Sequence, residues 1–83
     1  MAQFLGVHKM ANIGAATDQE AADGFHKYQE AAAKMGLKAT HAHYSLEKGF
    51  AYCLTEAGSA DEVKKAHDNA AIPLEDVIEV KTI

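Results

Sequence analysis

The sequence predicts one small α+β domain, residues 1–83, in which four strands and two helices alternate as β-α-β-β-α-β. Three observations predict it. Two segments, Thr17-Asp-Gln-Glu20 and Ser59-Ala-Asp-Glu62, carry the capping-box pattern that opens a helix. Four short apolar segments flank those helices at strand length. Gly36 and Pro73 supply stops where each helical pattern runs out.

The first strand is Gln3 to Lys9, and Met10-Ala-Asn-Ile-Gly-Ala-Ala16 follows as a flexible loop. After Thr17, apolar positions Ala21, Phe25, Tyr28, Ala32 and Met35 recur at steps of three and four, which predicts a helix over 18–35 ended by Gly36 in a left-handed conformation. Leu37 to Tyr44 and Phe50 to Glu56 read as strands joined by the turn Ser45-Leu-Glu-Lys-Gly49. Val63, Ala66, His67 and Ala70 form the stripe of a second helix over 60–71, and Val77 to Ile83 is the last strand. Two right-handed crossovers around one hairpin then give a ferredoxin-like, four-stranded antiparallel sheet of order 4-1-3-2 with both helices on one face.

Composition narrows the function. At 48% hydrophobic and 24% charged the chain falls among globular proteins. A domain of this size buries only roughly 60% of its unfolded surface, so support from a partner or ligand is expected. Eight basic residues against twelve acidic ones, with the lysines scattered, argue against nucleic-acid binding. No segment has the length of a membrane span or the form of a signal peptide, so the expected address is cytoplasmic. The single cysteine, Cys53, excludes an intrachain disulfide, in keeping with a reducing compartment.

Strand alternation puts Leu5 and Val7 opposite Phe4 and His8, and Ala51 and Cys53 opposite Phe50, Tyr52 and Leu54. Helices cover one sheet face only. An uncovered face bearing Phe4, Phe50, Tyr52 and Leu54 predicts an interface, most simply a homodimer.

Five histidines are the unusual chemistry of the chain. His8 ends strand one, His41 and His43 alternate on one side of strand two, and His67 sits on the stripe of helix two, all toward one end of the sheet. These four are the candidate metal ligands, since imidazole nitrogen suits nickel, zinc and copper. His41 and His43 lie about 6.5 Å apart along a strand. Two histidines so spaced are more often a solvated face, a histidine on an apolar stripe is more often a hydrogen-bonded core residue, and no diagnostic metal motif is present. His26 reads as structural or exposed. Cys53, between apolar neighbours, reads as a small buried hydrophobe outside the site. The hairpin register stays open: pairing Tyr44 with Phe50 would put His41 and His43 beside Ala51 and Cys53, and a shift of one residue would put them beside Tyr52 and Phe50.

The stretches Phe4-Leu-Gly-Val-His8, Thr40-His-Ala42, Ala51-Tyr-Cys-Leu-Thr-Glu-Ala57, Ala60-Asp-Glu-Val-Lys-Lys-Ala-His67 and Ile72-Pro73 resemble a family of small ferredoxin-like proteins described as nickel-binding or nickel-responsive. The resemblance implies a homodimeric α+β fold and, in some members, nickel(II) or another divalent transition metal held by histidines. His8, His41 and His67 match family positions, whereas His43 is an addition. Three readings follow in order: a non-catalytic metal-binding protein, an apolar-ligand or partner-binding module using the open face, and a small dimeric α+β barrel enzyme with a histidine or Tyr52 as acid/base. No nucleophile–base pair and no carboxylate pair commits the chain to catalysis.

Overall fold

A computed structural model describes all 83 residues. The elements are β1 (Ala2–Lys9), a 3-10 turn over Met10–Ile13, α1 (Asp18–Lys34), β2 (Lys38–Ser45), β3 (Phe50–Ala57), α2 (Ala60–Asn69) and β4 (Asp76–Val80). The sheet has the order β2-β3-β1-β4 with antiparallel neighbours throughout, which is the expected 4-1-3-2 arrangement.

Both helices begin at their capping boxes. Thr17 Oγ1 accepts from the Glu20 amide at 3.1 Å, and Ser59 Oγ accepts from the Glu62 amide at 3.3 Å. In a capping box the glutamate ordinarily reaches back to the cap's own amide, but here each reaches one residue further. Glu20 accepts from the Ala16 amide at 3.0 Å and Glu62 from the Gly58 amide at 2.9 Å, in place of the caps' own amides.

Both helices also end in the same way. Leu37 N–H donates to Ala32 O at 2.9 Å and Gly36 N–H to Ala33 O at 3.0 Å, a Schellman turn with Gly36 at φ 76. In α2 the equivalent bonds are Ile72 N–H to His67 O and Ala71 N–H to Asp68 O, and the left-handed position is filled by Ala71 at φ 56. The helix stops two residues before the expected boundary because this turn, and not Pro73, ends it.

The segment after β1 is tied down, contrary to the flexible loop expected there. Met10 is buried, its N–H donates to Gly49 O at 2.9 Å, and its carbonyl accepts from Ala15 N–H at 3.0 Å.

The core between helices and sheet is built from Phe4, Tyr28, Leu37, Cys53 and Val63 with Ala32, Ala39, Ala57 and Ala66. The alanines keep the helices close to the sheet. Register decides the two faces. Phe4 pairs with Thr55 and Leu5 with Leu54, so Phe4 lies under the helices at 5% exposure and is not part of the uncovered face. Sequence alternation could not show which side of β1 matches which side of β3. The uncovered face instead carries Leu5, Val7, Tyr52 and Leu54, half-buried against one another, with the more exposed Phe50 and Ile78.

A β-bulge at Thr40 settles the side taken by the two histidines of β2. Ala39 pairs with Thr55 and is buried, whereas His41 pairs with Leu54 and His43 with Tyr52. The extra residue reverses the pleat between Ala39 and His41. Both histidines therefore point out from the open face.

Candidate metal centre

His8 and His67 come together beneath the helices, and Cys53 stands between them. His8 is brought in by β1, Cys53 by the neighbouring strand β3, and His67 by the inward stripe of α2. All three are buried, at 5%, 3% and 1% exposure. The His8 and His67 ring centroids are 5.0 Å apart. Nε2 of His8 lies 3.5 Å from Cys53 Sγ, and Nε2 of His67 lies 3.3 Å from the same sulfur. The three potential ligand atoms all lie within 4.8 Å of one another.

The proton inventory of this cluster follows from its surroundings. Nδ1 of His8 lies 2.9 Å from Pro73 O, and Nδ1 of His67 lies 2.8 Å from Val63 O. A carbonyl oxygen only accepts, so each Nδ1 carries the hydrogen and each Nε2 presents a lone pair. Both lone pairs face one thiol, which has a single proton. Every buried nitrogen has a neighbour at hydrogen-bonding distance, yet one of the two Nε2 atoms is left facing sulfur with no hydrogen between them. A backbone acceptor on the far nitrogen of each ring is also how metal-ligating histidines are commonly oriented.

Burial keeps the imidazoles neutral. It pushes His67 down to about 4, against the Val63 carbonyl, which favours the charged form; the His8 ring lowers it further. It pushes His8 below 6.5 against the Pro73 carbonyl and Glu75. The same desolvation raises the Cys53 thiol to about 12. Without a cation the thiol stays protonated, while a cation bound there would favour the thiolate.

Two further residues hold the cluster. Tyr28 of α1 stacks on His67, centroids 3.8 Å apart and planes 23° from parallel. Gly6, opposite Cys53 on β1, has no room for a side chain, since a Cβ there would lie 2.7 Å from Cys53 Sγ and 3.4 Å from His67 Cε1. Beside the cluster lies a cavity of about 50 Å³ between α1 and the sheet, lined chiefly by apolar groups including Ala21, Phe25, Ala42, Ala51 and Ile72.

Of the four histidines expected as ligands, His8 and His67 are thus together. His41 and His43 are paired elsewhere, on the open face, with nearly parallel rings 6.3 Å apart. His26 is exposed on α1. Cys53, left out of the site by sequence reasoning, is its central atom. Its only sequence signal was an alternation in β3 that put it on one side with Ala51. Gly6 was also passed over, although a lone glycine inside a strand marks close approach of another group.

Two solved structures share the fold. SCO4226 from Streptomyces coelicolor A3(2) matches at TM-score 0.85 with 24% identity, over 99% of this chain and 99% of that one. The heavy metal binding protein TM0320 from Thermotoga maritima matches at TM-score 0.57 with 15% identity, over 94% of this chain and 98% of that one. At these identities the likeness establishes the fold. No family model and no curated protein sequence matches the chain.

Proposed function

We propose that this chain is a non-catalytic metal-binding protein whose ion is held by His8 Nε2, His67 Nε2 and Cys53 Sγ. The observation that carries the reading is the proton shortfall: two fixed imidazole lone pairs converge on one buried sulfur, and a cation satisfies all three donors at once. The heavy-metal-binding description of the Thermotoga protein with the same fold supports it. Nickel(II), zinc and copper all take imidazole nitrogen, and nickel remains the ion suggested by the resemblance. A thiol ligand calls for a reducing, cytoplasmic setting, where it is not lost to oxidation.

The test is elemental analysis of untagged protein, followed by calorimetric titration with nickel, zinc, cobalt and copper. His8→Ala, His67→Ala and Cys53→Ser each abolish the strongest site, whereas His26→Ala leaves it intact. The double variant His41→Ala/His43→Ala also retains it, because that pair lies on the other face of the sheet. No metal bound tighter than about 100 μM, roughly −5.5 kcal/mol, refutes the proposal.

The uncovered face supports a second element of the reading, a homodimer. Phe50 and Ile78 are 36% and 44% exposed beside the half-buried Leu5, Val7, Tyr52 and Leu54, a patch of the kind that marks an interface. Sedimentation at micromolar concentration yielding only an 8.9 kDa species refutes it.

A further inference from the structure

Among the three donors of the cluster only Cys53 can become an anion. His8 and His67 are fixed as neutral ligands by their Nδ1–H bonds to Pro73 and Val63. A monovalent ion on a thiolate and two neutral imidazoles gives a site of zero net charge, whereas a divalent ion leaves one positive charge. That excess meets no buried carboxylate, only the pull of two surface groups, Glu75 on His8 and Asp68 on His67. No carboxylate lines the adjoining cavity, and Glu75, whose charge acts on His8, is engaged at the surface with Lys9 at 3.7 Å and Asn12 at 3.1 Å. Asp68, next to His67 in sequence, is exposed. An unpaired buried charge is costly.

Coordination number points the same way. The structure presents three donors, and the space beside them is lined by alanine, phenylalanine, isoleucine and three tyrosines, with no further histidine or cysteine and no carboxylate; the hydroxyls of Tyr28 and Tyr44 are taken by Thr55 and Asp18. Zinc in structural sites is almost always four-coordinate. Soft thiolate donors suit copper(I) and zinc alike, so the number of donors and the charge, and not softness, separate the two.

Building on the metal-binding reading above, we infer that the His8–Cys53–His67 cluster selects a monovalent soft cation, copper(I), over divalent nickel and zinc. Binding replaces the Cys53 S–H bond by an S–Cu bond and releases one proton to solvent, with no change in oxidation state.

The experiment uses the untagged full chain, metal-free and anaerobic, with copper(I) supplied as its acetonitrile complex. The Nε2 nitrogen shifts of His8 and His67 are followed by NMR. One equivalent of copper(I) shifts both resonances, and X-ray absorption shows three-coordinate copper with two nitrogens and one sulfur. Silver(I), of the same charge and softness, shifts the same two resonances. Zinc at two equivalents and 100 μM protein leaves both unmoved. If zinc shifts both, the selectivity inference is overturned while metal binding stands. If no ion shifts them, both fall together. Cys53→Ser checks the charge argument: it removes the copper(I) response, and His8→Asn does the same if the serine variant fails to fold.

Discussion

The hydroxyls of Tyr28 and Thr55 lie 2.6 Å apart, both fully inside the core. This bond anchors the ring that stacks on His67, so the helix–sheet core and the cluster share a residue. Tyr28→Phe keeps the ring and strands the Thr55 hydroxyl. The expected cost is about 1–2 kcal/mol, measured by urea unfolding, with metal affinity kept within about threefold. A tenfold loss of affinity would show that the hydroxyl, and not the ring alone, positions His67.

Gly6→Ala forces a methyl against Cys53 Sγ and the His67 ring. Overpacking of this kind costs about 1–3 kcal/mol, and the displaced sulfur weakens metal binding by at least about tenfold. Calorimetric titration and thermal unfolding of the same variant check both effects. Wild-type affinity in Gly6→Ala would count against the placement of the cluster under β1.

Two backbone positions can be improved. Ala71 occupies the left-handed region at φ 56, where a side chain is unfavourable. Gly24 lies within α1, where an added Cβ meets nothing within 4 Å. Ala71→Gly and Gly24→Ala each stabilise by about 0.5–1 kcal/mol, and together nearly additively, since Gly24 lies within α1 and Ala71 in the turn that ends α2. Urea midpoints of the two single variants and the double variant test this.

The metal-free protein has a pH profile set by the cluster. The folded pKa of His67 is about 4, below its ordinary 6.5, and that of His8 is also lowered. The unfolded chain therefore takes up more protons as pH falls below 6.5, and their stabilising contribution is lost progressively toward pH 4. Cys53 acts at the other end. Its folded pKa of about 12 exceeds the ordinary 9.0, so stability falls again as pH rises from 9 toward 12. Unfolding at a series of pH values should show a plateau between 6.5 and 9, and His67→Gln should flatten its acidic edge. An unchanged acidic edge in that variant would remove His67 as its cause.

The fold was legible because its signals are local. Thr17 and Glu20, like Ser59 and Glu62, announce a helix within four residues, and the element order followed from them. The stripe of α2 likewise turned His67 inward. What was hidden depended on pairing. The side taken by His41 and His43 hinges on one unpaired residue, Thr40, that no alternation pattern marks. Cys53 has the neighbours of an ordinary core residue, and only the arrival of β1 and α2 on either side brings its sulfur within reach of two imidazole nitrogens. Phe4 was misplaced for the same reason, since its partner across the sheet is Thr55 and not an apolar residue.

The fixing of His8 by the carbonyl of Pro73, 65 positions further along the chain, also orders events during synthesis. At about 5–20 residues per second, His8 is added roughly 3 to 13 s before Pro73. For nearly all of that interval His67 has not yet been added, and until Pro73 follows it the imidazole of His8 is not oriented, so a nascent chain offers metal only scattered, competing donors. On the proposed reading, loading is therefore an event in the life of the finished protein, and the ion comes by exchange from whatever holds the metal at that moment.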